Sequence, residues 1–372
     1  MRIAFVVNDI SFLKSHRLAL VQEAVSSGWE VHILSNTKEI EGFPDGVHFH
    51  SLPIHRSSLG VLSNGKLLWR LITHYRNIQP DMIHHITLKP IVFGSFAARW
   101  ACPKASIINA VTGLGYLFTE NRSPFGGLLL WGLRTISPAK AHYVFQNSVD
   151  RAFFQTFGLG KNNTLIKGSG VDAQQFTYSS PPNTPTVRIL FTGRILKDKG
   201  VIELLQACTA LLDKGLPLEL KILGRLDPHN PAHITQEALE SYAIPNKIVW
   251  EGFSTQIKEE LQNCHIYCLP SYREGLPKSI VEAMAIGRPI VTTDAPGCSD
   301  CVQQGENGFK VPIKDTQQLA EKLELLINAP QLREQMGKTS RKLFEKEFTL
   351  AQVIQQHMAL YDKLRTFGNN SL

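Results

Sequence analysis

The sequence predicts an α/β protein made of two domains, each with a parallel sheet. Short apolar runs, each long enough for one buried strand, alternate with stretches of helical periodicity, a pattern typical of parallel sheets covered by helices. The alternation stops at the polar, proline-rich stretch 179–185 and then starts again. The length of 372 residues suits two domains of about 150–200 residues each.

The first half of the chain begins with the apolar run Ile3–Val7, which predicts a buried strand. A helix is predicted over Leu18–Ser27, because Gly28 is a typical residue just beyond a helix end. The remaining elements of this half follow the same alternation. The predicted strands are Val31–Ser35, Met82–His85, Ile107–Val111 and His142–Gln146, and the predicted helices are Lys66–Arg76 and Ile91–Trp100.

The second half repeats the alternation after the proline-rich stretch and ends in a long helical region. The predicted strands are Val187–Thr192, Leu218–Leu223, Ile248–Trp250, His265–Leu269 and Pro289–Thr292, with a helix over Val201–Lys214 and helical pattern over Gln331–Arg365. We therefore predict an N-terminal domain at 1–178, a C-terminal domain at 186–345 and a helical segment at 346–372 that packs back on the N-terminal domain. Ligands of such sheets bind at the carboxyl ends of strands, so the cleft between two domains is the expected site.

Composition limits the partners without choosing one. The formal net charge of +7 favours anionic partners such as nucleotide diphosphates or anionic lipids. A nucleic-acid partner is not expected, because no basic stripe with interleaved aromatic residues occurs. Six cysteines without disulfide-framework spacing fit a reducing compartment, and the one C-x-x-C, Cys298–Cys301, is a weak zinc or redox motif.

No apolar run approaches the roughly 20 residues of a transmembrane helix, and the first residues are too short an apolar run for a signal peptide. We expect a cytoplasmic protein, with a peripheral position on the inner face of the cytoplasmic membrane as an alternative. On the predicted helix Lys66–Arg76, the residues Lys66, Arg70 and His74 share one face. Together with the apolar segment Phe125–Leu133 this face fits anionic lipid, although an ordinary amphipathic surface helix explains it equally well.

The most informative stretch is Glu274–Pro289, which places two carboxylates around the start of a helix. Gly275, Leu276 and Pro277 form a turn that opens the helix, and a helix N-terminus attracts anions such as phosphate. Glu282 lies on the helix among apolar residues, where an unpaired carboxylate is costly and therefore needs partners such as two neighbouring hydroxyls. A diphosphate, a vicinal diol and a second acid, Glu274, together indicate a nucleotide-sugar site.

A second motif, Phe191–Gly200, follows the first strand of the second domain. Gly193 is suited to a sharp turn, and Arg194 and Lys199 leave the strand end together. These two cations are suited to holding a diphosphate and stabilising charge on a leaving group. Taken alone, they are better explained as solvated loop charges, and it is the Glu274 region that favours the functional interpretation.

Together these motifs resemble the signature of family 4 glycosyltransferases, which are retaining enzymes with the GT-B fold of two Rossmann-like domains facing across a cleft. The resemblance rests on Glu274-x7-Glu282 with Arg194 and Lys199 upstream and on Gly297 and Asn307-Gly308 downstream. It implies catalytic roles for Glu274, on the transferred sugar, and for Arg194 and Lys199, on the diphosphate. It implies donor binding by Glu282, on the ribose hydroxyls, and by Gly193, Gly252, Phe253, Gly275, Leu276 and Pro277.

The first domain shows a narrower resemblance to a subgroup that acts on polyprenyl-diphosphate-linked glycans in bacterial polysaccharide or glycoprotein synthesis. Four segments carry it: Phe12–Leu18, His84–Pro90, Val111–Tyr116 and Phe145–Asn147. It implies transfer of a hexose or N-acetylhexosamine from a nucleoside-diphosphate sugar, with UDP as the expected nucleotide, to a lipid-linked glycan acceptor.

Two departures from the family pattern shape the acceptor-side predictions. The stretch Asn8–Arg17 contains no glycine pair, so Ser15, His16 and Arg17 are candidates to replace its phosphate contact. The position after the strand Ile107–Val111 holds Thr112 in place of histidine. His84 and His85 are further acceptor-side candidates, and a structural role is the alternative for each. Lys89 is a candidate to contact an acceptor phosphate, and a solvated lysine is the alternative.

No metal and no cofactor are expected, because no Asp-x-Asp pair occurs and the two cations with the helix end are suited to neutralising the diphosphate. Three alternatives remain. A UDP-sugar epimerase or hydrolase on the same scaffold is the first. A nicotinamide-dependent dehydrogenase is disfavoured, because no G-x-G-x-x-G follows either first strand, and a non-catalytic sensor of sugar nucleotides has no residue in its favour.

Overall fold

The computed structural model of the protein describes residues 1–37, 41–54, 61–113, 124–228 and 230–369. The chain divides into two compact units, one made of Met1–Ser169 with Ala351–Leu372 and the other of Gly170–Leu350. Each unit has its own parallel sheet with helices on both faces.

The first unit contains, in the part of the chain that the structure describes, a sheet of seven strands in the order β3-β2-β1-β4-β5-β6-β7, and each neighbouring pair is parallel. The strands are β1 (Arg2–Val7), β2 (Glu30–Ser35), β3 (His48–Ser51), β4 (Met82–Ile86), β5 (Ser106–Val111), β6 (His142–Phe145) and β7 (Asn163–Leu165). The helices are α1 (Ile10–Ser26), α2 (Val61–Ile78), α3 (Leu88–Ala101), α4 (Pro124–Ile136) and α5 (Ser148–Thr156). The sequence did not predict the edge strands β3 and β7, which are short and lack a run of buried apolar residues.

Helix α1 begins eight residues earlier than the sequence predicted. Asp9 caps it, because its side-chain oxygen accepts a hydrogen bond from the backbone N–H of Ser11 at 2.9 Å. Ser15, His16 and Arg17 consequently lie within the helix and not on the loop that follows β1. The predicted start at Leu18 was wrong because the polar residues before it interrupt the apolar pattern without ending the helix.

The second unit contains, over its described residues, a sheet of six parallel strands in the order β10-β9-β8-β11-β12-β13. The strands are β8 (Val187–Thr192), β9 (Leu218–Leu223), β10 (Ile248–Gly252), β11 (Ile266–Leu269), β12 (Ile290–Thr293) and β13 (Gly308–Val311). The helices are α6 (Val201–Asp213), α7 (Gln236–Glu240), α8 (Ile257–Asn263), α9 (Lys278–Ile286), α10 (Thr316–Asn328) and α11 (Pro330–Glu347). One apolar core, formed by both faces of this sheet, holds the unit together.

The boundary between the units lies near residue 170 and not in the proline-rich stretch 179–185. Val171 and Phe176 already belong to the core of the second unit. The proline-rich stretch itself is fixed to this unit, because the buried guanidinium of Arg288 donates to the carbonyl of Ser179 at 3.1 Å and to its Oγ at 2.7 Å. The second unit therefore begins before the stretch that the sequence suggested as a linker.

The last helix, α12 (Leu350–Asn369), lies for all but its first residue in the first unit. It packs on the same face of that unit's sheet as α1, where Val353, Leu360 and Tyr361 join a core with β-strand residues such as Phe5. The opposite face of the sheet carries α2, α3, α4 and α5 over a separate core.

Candidate active site

The candidate site of the second unit lies where the order of its strands reverses. Strands β8 and β11 are neighbours in the sheet, but the chain continues from β8 toward β9 and from β11 toward β12, on opposite sides. The loops that follow them diverge, and a crevice at the carboxyl ends of two such strands is the usual ligand site of an open α/β sheet. The loop after β8 carries Arg194 and Lys199, and the loop after β11 carries Glu274.

Lys199 and Glu274 form an ion pair across this crevice, although they are 75 residues apart in the chain. Nζ of Lys199 contacts Oε1 of Glu274, and each side chain is 16% exposed. The backbone of the two loops is joined as well, because the carbonyl of Asp198 accepts from the N–H of Tyr272 at 2.8 Å and from Oγ of Ser271 at 3.0 Å. These hydrogen bonds between the two loops fix the backbone on both sides of the ion pair.

Asp198 adds a second carboxylate beside this pair. Burial raises the pKa of Asp198, the charge of Lys199 opposes that shift, and the charge of Glu274 adds to it. One carboxylate oxygen of Asp198 is buried without a hydrogen-bond partner in the described structure. The loops thus bring two acids and two cations, Arg194 included, to one strand edge.

Two glycines allow the loop after β8 and the loop after β12 to pack closely against the loop after β11. Gly200 has a φ of +69°, and a Cβ there would lie 2.1 Å from the carbonyl oxygen of Pro270. Gly297 has a φ of +80°, and a Cβ there would lie 2.5 Å from the carbonyl oxygen of Glu274. Both positions require a left-handed backbone and leave no room for a side chain, so glycine has a structural reason at each.

Arg194 is paired with a residue that the sequence analysis missed. Its Nη1 lies 3.0 Å from Oδ2 of Asp227, and both side chains are partly exposed. Arg225 was also missed, and its guanidinium lies 4.0 Å from the centre of the Phe253 ring. A signal for Arg225 was present, since Gly224-Arg225 follows β9 just as Gly193-Arg194 follows β8.

The glycines of this region differ from the expectation in one respect. The chain bends at Gly193 directly after β8, as predicted, but the backbone there is not left-handed. Its carbonyl oxygen instead packs against Gly224, where a Cβ would lie 1.7 Å away. Gly252 does have a positive φ of +75°, and it precedes Phe253, whose side chain is 59% exposed. These residues place an aromatic ring and a guanidinium beside the ends of β9 and β10.

Helix α9 begins at Lys278, directly after the turn of Gly275, Leu276 and Pro277, all of which are buried. Pro277 occupies the N-cap position, and its side chain makes no cap hydrogen bond. Gly287 ends the helix with a φ of +89°. The turn therefore directs the start of α9 toward the same strand edge as the Lys199–Glu274 pair.

Glu282 lies on the second turn of α9, and its side chain is 15% exposed. Burial raises the pKa of Glu282, and the ammonium of Lys278, with Nζ at 3.7 Å from Oε1, partly opposes that shift. A buried carboxylate with one long contact is suited to accepting hydrogen bonds from a ligand's hydroxyl groups.

The histidines that the sequence proposed for the acceptor lie in the core of the first unit, not exposed at a strand end. His84 and His85 are both 0% exposed and point to opposite faces of the sheet. The ring of His85 bonds to Tyr75 Oη at 2.9 Å and to Asn109 Oδ1 at 2.8 Å, and burial lowers the pKa of His85 to about 4. Nδ1 of His84 lies 2.7 Å from Oη of Tyr361, and burial lowers its pKa well below the usual value. Both are packed as neutral structural histidines, which corrects the expectation that they face an acceptor.

The three candidates on α1 differ in accessibility. Ser15 is exposed on α1, where its Oγ donates to the carbonyl of Ser11 at 2.8 Å, and His16 stacks on Phe12 with 4.2 Å between ring centres. Arg17 instead is 3% exposed and donates to the carbonyl of Gly168 at 3.4 Å, which makes it a structural residue of the first unit.

Lys89 and Thr112 lie at the carboxyl edge of the first unit's sheet. Lys89 is in the first turn of α3, half-buried, and burial lowers its pKa. Thr112 follows β5 directly and is also half-buried. The rest of that predicted motif, from Leu114 to Tyr116, lies outside the described residues.

Among the described residues, no three His, Cys, Asp or Glu side chains are arranged to hold a metal ion. Cys298 and Cys301 are free thiols in the core, and burial raises the pKa of Cys298 to about 12. Within the same residues, every helix is too short or too polar to cross a membrane.

Two family models match the chain, one to each unit. The model described as "Glycosyl transferase 4-like" matches residues 2–148, and the model described as "Glycosyl transferases group 1" matches residues 174–343. The second match contains the whole constellation described above, from Arg194 to Gly297.

The chain is similar to two bacterial glycosyltransferases. The chain is 28% identical over 326 residues to the N,N'-diacetylbacillosaminyl-diphospho-undecaprenol alpha-1,3-N-acetylgalactosaminyltransferase of Campylobacter jejuni, an alignment that covers 83% of this chain and 84% of the relative. It is 26% identical to the capsular polysaccharide biosynthesis glycosyltransferase CapM of Staphylococcus aureus, with 90% of each chain covered.

Solved structures share the fold over almost the entire chain. The sucrose-phosphate synthase of Thermosynechococcus elongatus superimposes with a TM-score of 0.81 at 17% identity, covering 98% of this chain and 99% of that one. The HepE protein of Anabaena in complex with UDP and glucose gives a TM-score of 0.79 at 18% identity, covering 98% of this chain and 100% of that one.

Proposed function

We propose a donor, a stereochemical course and an acceptor for this chain, which belongs to the family 4 glycosyltransferases and has the GT-B fold. The donor is a nucleoside-diphosphate sugar, with UDP as the nucleotide, that carries a hexose or N-acetylhexosamine. The acceptor is a polyprenyl-diphosphate-linked glycan in the synthesis of a surface polysaccharide or glycoprotein. The transfer retains the configuration of the sugar.

The observation that carries the donor proposal is the convergence of Arg194, Lys199 and Glu274 at the edge where β8 and β11 end. An ammonium has three N–H donors, so Lys199 can bond to Glu274 and to a phosphate oxygen at once. Arg194 offers a planar fork of donors to the same diphosphate. Glu282 on α9 then accepts from the ribose hydroxyls, and Glu274 accepts from a hydroxyl of the sugar.

The chemistry of this arrangement needs no covalent intermediate. The bond between the anomeric carbon and the diphosphate oxygen breaks while a bond forms between that carbon and the acceptor oxygen on the same face. The proton of the acceptor hydroxyl passes to the leaving diphosphate. Arg194 and Lys199 stabilise the negative charge that grows on the diphosphate, which is the electrostatic contribution expected of preorganised cations.

The nature of the acceptor rests on the relatives. The Campylobacter jejuni relative is named for an acceptor linked to diphospho-undecaprenol, and the Staphylococcus aureus relative is named for capsular polysaccharide biosynthesis. Lys89, at the start of α3, and Thr112, after β5, are the residues of the first unit that we assign to the acceptor side.

Donor binding is tested by a thermal-shift panel of UDP- and GDP-sugars. A ligand that binds only the folded protein at about 100 times its Kd stabilises it by roughly 2.7 kcal/mol, so a UDP-sugar should raise the melting temperature clearly. A GDP-sugar that raises it more than any UDP-sugar refutes the choice of nucleotide.

The catalytic assignment is tested with Lys199→Ala and Glu274→Gln. Each should lower the rate of sugar transfer by about 100- to 1,000-fold, the usual effect of losing one electrostatic contact to a transition state. The control is Lys338→Ala, which breaks an exposed ion pair with Glu334 on α11. Transfer that survives both site substitutions at the wild-type rate would falsify the assignment.

The alternative of an epimerase or hydrolase is distinguished by incubating the protein with donor alone. A transferase should leave the donor largely intact until an acceptor is added. Release of free sugar or of an epimerised donor at the full rate, with no acceptor present, favours the alternative.

A further inference from the structure

Three tryptophans on the outside of the first unit have no role in the site described above. Trp69, Trp100 and Trp131 are 60%, 65% and 60% exposed, respectively. They lie on α2, α3 and α4, which pack side by side over one core on the same face of the sheet. Tryptophan is normally well buried, as Trp29 is at 8% exposure, so three exposed rings on adjacent helices indicate a contact surface.

The helical geometry explains why these rings face away from the protein. Leu67, Leu71 and Tyr75 recur at helical spacing on α2 and are fully buried. Trp69 follows Leu67 by two residues, which is about 200° around the helix and therefore opposite to the buried stripe. Leu62 precedes Trp69 by seven residues, lies on the same outer side and is 92% exposed. We call the outer sides of α2, α3 and α4, with their three tryptophans, the tryptophan face.

The charge of these helices is entirely positive. Their sequences contain no Asp or Glu at all. Their cations are Lys66, Arg70, Arg76, Lys89, Arg99 and Arg134. All but Lys89 are exposed, and the guanidinium of Arg70 lies 5.4 Å from the centre of the Trp69 ring. Three adjacent helices with only positive charges and exposed aromatic rings favour a partner that is both negatively charged and apolar beneath its surface.

We propose that the tryptophan face docks onto the surface of an anionic phospholipid bilayer. Tryptophan rings are enriched at the boundary between headgroups and acyl chains, where one part of the ring is apolar and its N–H remains hydrated. Lysine and arginine side chains are attracted to the negative surface potential of anionic lipids. The contact extends the lipid-linked acceptor of the proposed function, on which its biological purpose rests, but it does not involve the donor site.

The same charge argues against a second copy of the chain as the occupant. A two-fold symmetric contact would place the same patch of both copies together, and here it would oppose two wholly positive surfaces. A lipid surface has the complementary charge and no fixed shape, so it does not require the three rings to match a rigid partner.

The experiment measures binding of the full chain to vesicles by sedimentation. Vesicles of phosphatidylcholine alone are compared with vesicles that also contain phosphatidylglycerol. We expect binding mainly to the anionic vesicles, weakened by added salt because the cations are exposed. The tryptophan emission should also shift to shorter wavelength when the exposed rings leave water.

Two variants and a matched control locate the contact. The triple variant Trp69→Ala, Trp100→Ala, Trp131→Ala should lose the emission shift and bind anionic vesicles at least tenfold more weakly. The charge variant Lys66→Glu, Arg70→Glu should weaken binding by more than about tenfold, since one cation near an anionic surface contributes about fivefold. The control Lys342→Glu, Lys346→Glu makes the same change at the same helical spacing on α11, and it should bind like the wild type.

Several results overturn the proposal. Equal binding to neutral and anionic vesicles, or wild-type binding by the triple variant, shows that this face is not the lipid contact. Concentration-dependent dimers that the triple variant abolishes, without vesicle binding, show that a second copy is the occupant instead. The thermal shift caused by a UDP-sugar is measured in the same variants, because it tests the proposed function separately and should not change.

Discussion

Replacing Gly297 with alanine tests how closely the loops of the candidate site are packed. Gly297 has a φ of +80°, and the new Cβ would lie 2.5 Å from the carbonyl oxygen of Glu274 and 2.6 Å from that of Gly275. Both contacts are with backbone atoms, which cannot rotate away as a side chain can. The backbone of Glu274 is further fixed, because its N–H donates to the carbonyl of Pro296 at 3.0 Å.

The expected loss of stability has two parts. A left-handed backbone costs a non-glycine residue about 1–2 kcal/mol. Overpacking a tight site typically costs about 1–3 kcal/mol more. For a unit of this size each kcal/mol lowers the melting temperature by about 2–4 °C, so Gly297→Ala should lower that of the second unit by about 10 °C.

Gly305→Ala is a matched control that carries only the first part. Gly305 has almost the same φ, +79°, but no atom lies within 4 Å of its new Cβ. It should lower the melting temperature by about 4 °C, from backbone strain alone. The difference between the two variants therefore isolates the effect of the close approach to Glu274.

The assay is thermal unfolding of both variants, with and without a UDP-sugar. Gly297→Ala should also weaken the donor-induced shift, because the loop that carries Glu274 must move, whereas Gly305→Ala should leave that shift unchanged. Equal losses of stability in the two variants, or an undiminished donor shift in Gly297→Ala, would show that the loops are not packed as described.

Three further predictions concern charge and packing elsewhere. Burial raises the pKa of Glu282 above its ordinary value of 4.5, so its ionised form destabilises the folded protein increasingly as the pH rises through that raised pKa. Glu282→Gln should therefore be more stable than the wild type at pH 7, and this difference in stability should disappear near pH 4. The same variant should bind a UDP-sugar about 10- to 100-fold more weakly in calorimetry, because it loses a charged hydrogen-bond acceptor. Asp227→Asn removes the anion that is paired with Arg194. Because both side chains are partly exposed, the free energy of unfolding should change by less than about 1 kcal/mol. UDP should bind a few-fold more tightly, because Arg194 no longer has a competing carboxylate. Gly94→Ala would place a Cβ 2.2 Å from Nε2 of His85, so it should lower the free energy of unfolding of the first unit by about 1–3 kcal/mol, measured by urea denaturation. Gly65→Ala, on α2, is the control. No atom lies within 4 Å of its new Cβ, and it should raise that free energy by about 0.5–1 kcal/mol.

The sequence determined the elements whose pattern is local. Periodicity located most central strands within one or two residues, for example β9 at Leu218–Leu223, because a buried strand needs an apolar run wherever it lies in the sheet. Residue types and spacing likewise indicated Glu274, Glu282, Arg194 and Lys199 as a nucleotide-sugar constellation, because two acids around a helix start and two loop cations are together suited to a diphosphate, a sugar and ribose hydroxyls.

Local pattern failed where the decisive contact was distant in the chain. The two histidines of β4 look the same in the sequence as exposed residues at a strand end, and only their packing against Tyr75 and Tyr361 identifies them as core residues. The start of α1 was missed for a different reason: the polar run Lys14–Arg17 interrupts the apolar pattern between Leu13 and Leu18, although Asp9 caps the helix directly before Ile10.

The sequence by itself determined two α/β units and the positive charge of the chain, and it indicated which residues form a candidate nucleotide-sugar site. Only the tertiary structure decided that β8 lies beside β11, so that Lys199 meets Glu274 across 75 residues, and that Asp227 pairs with Arg194. It alone brought the helices of three tryptophans to one face. The physical reason is that the order of strands in a sheet is set by how whole elements pack, and periodicity within one element carries no information about its neighbours.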